Sequence, residues 1–262
     1  MQARERRTDK ETTYMISDGD HVGELTLRAP SARSVAVALL LANHPPQLSA
    51  NQLVRSAKPF GIAESNLRVA LSRMVAAGDL ERYESIYRLS AHLIERQKLQ
   101  NAQIHLRVTP WIGDWETAIV TVTGQSAVNR AGLRTELNGL RLAELREGVW
   151  LRPANLDRKW PPQVTAVTQR LLARPVDSAA LARSLWPLQS WADHGWRLIP
   201  TLNGARKPAL RFAAATATFR HLLTDPQLPE SLLPRDWPAA ALRHALTRCF
   251  DELVRSGDGP WS

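Results

Sequence analysis

The stretch ESNLRVALSRMVAAGDLER at residues 64–82 carries the residue types with which a protein reads nucleic-acid bases. Wound as a helix at about 100° per residue, it gathers Leu67, Leu71, Met74 and Val75 on one side. Ser65, Asn66, Val69, Ser72 and Arg73 project from the other. Arg73 has the fork that fits the two acceptors of a guanine edge, and Asn66 the donor and acceptor that fit adenine. Ser65, Ser72 and Val69 can hydrogen-bond a base or touch a thymine methyl. Arg68 lies at the flank of the apolar stripe, where it can pair with a carboxylate of its own module or bind a phosphate. Arg55, Lys58, Arg82 and Arg88 are candidate phosphate anchors, although cations of this kind also serve simply to keep a surface soluble. The same face fits the solvated side of an ordinary amphipathic helix, so its surroundings must decide.

Those surroundings predict a compact reading module. A helix opens at Ser31, buries Val35, Leu39, Leu40 and Leu41, and stops at Asn43-His44-Pro45-Pro46. Ser49 and Gln52 have the spacing of a capping box for a second helix, which runs to about Ala57. Lys58-Pro59-Phe60-Gly61 breaks that helix and leads into the third. After Gly78, two short β-prone runs meet at Glu84-Ser85, with Leu80, Tyr83, Tyr87 and Leu89 available to cover the helices. Three helices followed by a hairpin describe a winged helix-turn-helix over 31–90, whose third helix enters a major groove.

A polar connector helix is expected over 91–110. Asp114–Gly124, Ser126–Leu137 and Arg141–Pro153 then read as strand, helix and a hairpin bent at Glu147-Gly148. A further β-prone run, Val164–Thr168, and a helix starting near Asp177 are expected to complete a ferredoxin-like middle domain over 111–176. Residues 177–262 read as a helical C-terminal domain. The fold class is thus α+β, in three modules joined in series. Residues 1–30 mix charges of both signs, have no apolar run of the secretory type, and read as a disordered or loosely docked arm.

The chain has 262 residues, with 34 Lys plus Arg against 25 Asp plus Glu, a net charge of +9 and a pI near 10.5. That balance favours polyanionic partners. Cys249 is the only cysteine, which excludes an internal disulfide and a cysteine-based zinc site, and it is expected to be a buried, inert thiol. The longest apolar run, Val35–Ala42, falls far short of the roughly 20 residues that span a bilayer, so a cytoplasmic protein with no membrane association is expected. The seven histidines have no metal-ligand spacing, and neither a nucleophile elbow nor a glycine-rich phosphate loop occurs. An enzyme is not indicated.

PFGIAESNLRVALSRMVAAGDLER with YRLS, PWIGDWETAIVTV, LRTELNGLRLAELREGVWLRP, ARSLWPLQSW and FRHLLTDPQLPESLLPRDWP stand in order along the chain. Together they resemble the PaaX-like transcriptional repressors over about residues 31–255, the last block being the most specific. The resemblance implies a winged helix-turn-helix, a Cas2-like ferredoxin domain that helps dimerisation, and a helical C-terminal domain. It also implies a double-stranded DNA operator as partner, and an effector of the aromatic acyl-coenzyme A class, such as phenylacetyl-coenzyme A, that releases the DNA. The cations nearest apolar patterns that could hold the phosphates of such a thioester are Arg152, Arg158, Lys159, Arg206, Lys207 and Arg211. A homodimer is expected, because one winged module makes too few contacts for a unique genomic address. The alternatives are a regulator with a different ligand or none, and a Cas2-like metal-dependent nuclease with Asp114 as its metal-binding carboxylate. Of the nine tryptophans, Trp115, Trp150, Trp186 and Trp237 are expected in the core.

Overall fold

The computed structural model describes residues 2–8, 11–17, 25–122 and 126–255. It divides into two compact units: residues 1–104, 194–223 and 238–262 form the first, and residues 105–193 and 224–237 the second. The three serial modules expected from the sequence are therefore rearranged, because the C-terminal helices are shared between the units.

The first unit begins with β1 (Gln2–Thr8), β2 (Glu11–Ser17) and β3 (Leu25–Arg28), an antiparallel sheet in that order. These strands lie within the stretch expected as a disordered or loosely docked arm. The two-residue period of Leu25 and Leu27, both buried, against exposed Thr26 and Arg28 gives β3 a face to anchor it. Residues 1, 9–10 and 18–24 of that expected arm lie outside the described residues.

Next come α1 (Ala32–Leu41), β4 (Gln47–Ser49), α2 (Ala50–Ala57), a 3-10 turn at Lys58–Phe60, α3 (Glu64–Ala76), β5 (Leu80–Tyr83), β6 (Ile86–Leu89) and α4 (Ala91–Gln103). Ser31 and Ser49 each close a reciprocal capping box, with Ser34 and Gln52 respectively. The strands form a small sheet in the order β4-β6-β5. One core unites Val35, Leu39, Leu53, Phe60, Leu67, Leu71, Met74, Leu80 and Leu89. Phe212 of α9 (Pro208–Leu223) packs on that core, its ring edge-on to Phe60 at 5.6 Å. This apolar contact draws C-terminal sequence into the N-terminal unit.

The second unit is built on β7 (Trp115–Val120), α5 (Ala127–Gly139), β8 (Ala143–Arg146), β9 (Val149–Pro153), α6 (Pro162–Thr165) and β10 (Thr168–Ala173). The sheet is antiparallel in the order β10-β7-β9-β8, a βαββαβ arrangement. Val164 and Thr165, expected in the last strand, instead form the short helix α6. Pro161-Pro162 sets the dihedrals of a helical first turn, and the Thr168 hydroxyl donates to the Val164 carbonyl at 2.8 Å. The strand follows, and α7 (Ser178–Leu185), capped by Asp177, lies beyond the βαββαβ unit.

Strand alternation gives the sheet two covered faces. Ala118 and Trp150 meet Leu137, Leu140 and Val164 on one. Trp115 and Leu151 meet Ala182, Leu188, Leu228 and Leu232 on the other. Trp115 and Trp150 are buried as expected, while Trp186 and Trp237 are half-buried.

The remaining helices are α8 (Leu188–Gly204) and α10 (Ala239–Arg255). Within the first unit, Gly195 lies so near α10 that a Cβ there would fall 2.7 Å from Pro238 Cγ and 3.0 Å from Leu242 Cδ1. His194 stacks obliquely on His221 at 4.8 Å, and its pKa is lowered from 6.5 by burial and by the charge of Arg197. A lowered imidazole pKa means that below pH 6.5 the unfolded chain takes up a proton that the folded chain resists. Stability is therefore lost as pH falls from 6.5 toward the depressed folded value. Thermal melts between pH 7.5 and 5.5 are expected to show a falling Tm, and His194→Asn should flatten that dependence.

Candidate nucleic-acid interface

Helix α3 is held from behind and at both ends, and its outer face is left to solvent. Leu67, Leu71 and Met74 are buried, as their spacing predicts. The chain enters α3 through Gly61, whose φ of 75° is a left-handed turn open to glycine. It leaves through Gly78, at φ 73°, in a Schellman closure: the N–H of Gly78 donates to the Val75 carbonyl and that of Asp79 to the Met74 carbonyl. The Asp79 carboxylate, itself buried, then takes Arg33 of α1 at 2.6 Å and Arg96 of α4 at 3.7 Å. Gly78-Asp79-Leu80 thus ends α3, ties it to two neighbouring helices and enters the core. Asp79 carries no signal of this role in sequence beyond its place after the glycine.

Ser65, Asn66, Val69, Ser72 and Arg73 are all exposed on that outer face, as predicted. The Ser72 hydroxyl donates back to the Arg68 carbonyl at 3.0 Å. Arg68 pairs with Glu64 through Nε and Nη2, both at 2.8 Å from Oε1. Of its two predicted roles the structure displays the carboxylate pair, an exposed i,i+4 interaction worth about 0.3–0.5 kcal/mol. Arg55 and Lys58 are exposed at the end of α2 and in the turn leading to α3.

The hairpin cations are more constrained. Arg82 Nε donates to the Glu84 carbonyl at the tip, where Glu84 itself has φ 52°. Arg88 grips Gln47 Oε1 through Nε and Nη2, joining β6 to β4. Leu80, Tyr87 and Leu89 cover the helices as expected, but Tyr83 does not: it projects into solvent beside the tip, as does Ile86.

The six cations predicted to hold a ligand are divided between the two units. Arg152, Arg158 and Lys159 belong to the second unit, and Arg206, Lys207 and Arg211 to the first. Arg152 is 0% exposed, and all five of its N–H groups are used. Nε donates to the Pro153 carbonyl, Nη1 to those of Arg141 and Pro226, and Nη2 to Asn155 Oδ1 and the Gln227 carbonyl. Arg141 (φ 61°) and Gln227 (φ 51°) hold left-handed backbone without being glycine, so the guanidinium binds two carbonyls that strained residues present. Burial pushes Arg152 down to about 9, aided by the charge of Arg158 and opposed by that of Glu116.

Arg158 is also buried, with Nε on the Leu140 carbonyl at 3.0 Å and Nη1 on Glu116 at 2.7 Å. Burial lowers its pKa too. The prediction that Arg152 meets a ligand's phosphates is therefore corrected, since it is a structural cation whose donors are spent on backbone and Asn155. Arg158 is engaged through Nε and Nη1, while its buried Nη2 has no hydrogen-bond partner among the described residues. Arg211 Nε donates to the sulfur of buried Cys249 at 3.3 Å, linking α9 to α10. Lys159, Arg206 and Lys207 are exposed.

Asp114 accepts a hydrogen bond from Arg174, which raises the Arg174 pKa. Among the described residues, no group of three His, Cys, Asp or Glu gathers as a metal site would require.

Arg152→Ala is expected to lower the unfolding free energy by about 3–5 kcal/mol in urea titrations, because it strips a buried network of its central charge. Arg152→Lys should recover little, since an ammonium on a flexible stem cannot reach five separate acceptors.

Three family models match the chain: "PaaX-like protein" at residues 31–93, "PaaX protein central Cas2-like domain" at 108–174 and "PaaX-like protein C-terminal domain" at 203–261. No curated protein matches it. Among solved structures, an uncharacterized protein, Rv0674 from Mycobacterium tuberculosis, is 44% identical, with a TM-score of 0.78 over 88% of this chain and 99% of that one. Three domain matches in sequence order, and a relative of this identity aligned over nearly its whole length, make the chain a member of the PaaX-like family.

Proposed function

We propose that the chain is a transcriptional repressor that binds double-stranded DNA as a homodimer through a winged helix-turn-helix over residues 31–90. The observation that carries this reading is the outer face of α3. Ser65, Asn66, Val69, Ser72 and Arg73 are exposed together on a helix whose other face and both ends are fixed. A reading helix needs that combination, because side chains that must match base edges lose specificity when their backbone moves. Arg55 and Lys58 flank the helix as phosphate anchors, and a net charge of +9 supports association with a polyanion. Arg73→Ala should lose about 1–3 kcal/mol of discrimination at one base position. Lys58→Ala should weaken all sequences alike and lower the salt slope by about one unit. Titrations of both variants on operator and scrambled duplexes over a range of salt separate the two roles. Equal behaviour of the two would remove α3 as the reader.

The effector class proposed is an aromatic acyl-coenzyme A, as expected of a PaaX-like regulator. With Arg152 committed to structure, exposed Arg206 and Lys207, adjacent before α9, are the cations assigned to its phosphates. Phenylacetyl-coenzyme A should bind with micromolar affinity, about −8 kcal/mol, and dissociate the DNA complex, whereas phenylacetate and free coenzyme A should not. Calorimetry with each compound, repeated on Arg206→Ala/Lys207→Ala, checks this assignment.

A further inference from the structure

Glu116, Ala118, Arg152 and Arg170 project from one face of the second unit's sheet, because Glu116 pairs with Arg152 and Ala118 with Arg170 across the ladders. Trp160, on the chain between β9 and α6, packs on this face, and Arg158 reaches Glu116 from the same segment. Glu116 is the shared partner of the cations. Its Oε1 takes Arg158 Nη1 at 2.7 Å and lies 3.6 Å from Arg152 Nε, while Oε2 lies 4.0 Å from Arg170 Nη2. One buried carboxylate therefore faces three guanidiniums. Arg141 and Asp225 also act on Arg152, with opposite signs, and leave that excess of positive charge standing.

The excess is least answered at Arg158. Its side chain is 9% exposed, and the N–H groups of Nη2 find no acceptor among the described residues. A buried donor left unmade is costly, and more so on a charged group. Trp160 walls one side of this place: Arg170 lies over its ring with Cζ 4.1 Å from the centroid, and Arg158 lies at 5.7 Å. Arg170 is the looser of the two cations, with 48% of its side chain exposed.

We propose that Arg158, through Nη2, and Arg170 together bind a small oxyanion of the inorganic phosphate or sulfate class beside Trp160. A water molecule at Nη2 satisfies the donors but leaves the charge excess unchanged. An oxyanion answers both, and the planar fork of a guanidinium matches its oxygens. Arg170, which reaches solvent, is the side from which the ion enters. Arg206 and Lys207 belong to the first unit, so this site is separate from the cations assigned to the effector and stands whatever the effector is.

Calorimetry on the full-length chain, purified without phosphate or sulfate, tests the site. Sodium phosphate is titrated with ionic strength held constant by sodium chloride, so that general attraction to a basic protein is screened. Wild type should bind one phosphate per chain, saturably, with a Kd of about 1 mM or below. Arg158 holds Glu116, so its replacement mixes binding with folding, and half-exposed Arg170 is changed instead. Arg170→Met should weaken phosphate binding about tenfold or more, whereas Arg206→Ala/Lys207→Ala should bind it as wild type does. Phosphate also stabilises proteins by exclusion from their surfaces, so thermal melts are read as a difference: Tm should climb more steeply with phosphate concentration in wild type than in Arg170→Met. Absence of saturable binding in wild type, equal binding by Arg170→Met, or loss of binding in Arg206→Ala/Lys207→Ala overturns the site.

Discussion

A single buried guanidinium holds the second unit together. Arg152 projects from the same sheet face as Ala118 and Trp150, yet instead of joining the apolar cluster it collects carbonyls from two distant chain segments. A charge in that position costs several kcal/mol of desolvation unless every donor finds an acceptor, and here each one does. In return, the left-handed turns at Arg141 and Gln227 gain an acceptor-specific tether, and Asn155 is aligned between Arg152 and the Gln227 carbonyl. The proline-rich segment at 225–237 can then lay Leu228 and Leu232 against the far face of the sheet, and Trp237 stacks on Trp191 at 4.2 Å.

The first unit solves a different problem, that of fixing a helix while leaving half of it uncovered. Apolar side chains supply the attachment of α3, but attachment along one stripe still permits rolling. The Asp79 carboxylate, gripped from two directions at the helix exit, and the left-handed glycines at either end restrict that motion. None of the exposed residues Ser65, Asn66, Val69, Ser72 and Arg73 is needed for this restraint, so their identities are free of it.

Much of this was legible in sequence because it is local. The 3.6-residue period of Leu67, Leu71 and Met74, the Ser49–Gln52 box and the turn at Glu84-Ser85 are each settled within a dozen residues. What was not legible is long-range. Nothing in the neighbourhood of Phe212 names Phe60 as its contact, so the division of the C-terminal helices between two units could not be read. Arg152 and Arg158 looked like surface cations because composition cannot reveal an acceptor supplied by a distant segment. The last strand was placed too early because Val164 and Thr165 have β-prone side chains, and the two prolines before them dominate the local backbone. The exposure of Ser65, Asn66, Val69, Ser72 and Arg73, by contrast, was legible residue by residue, since an exposed stripe is the complement of a buried one.

The spacing of the Arg152 contacts also sets an order of events during synthesis. Its acceptor at Pro226 lies 74 residues downstream. At about 5–20 residues per second, a ribosome takes about 4–15 s to supply it. From Ala173 onward the four strands are complete, but their central cation still has no acceptors from the proline-rich segment, and the second face of the sheet lacks Leu228 and Leu232 beside Ala182 and Leu188. The nascent unit must therefore wait with apolar surface uncovered, and it closes late, when a segment near the end of the chain arrives. An unfinished chain released before residue 226 would carry a sheet with one partly covered face and an unsatisfied guanidinium, a substrate suited to chaperones and proteases.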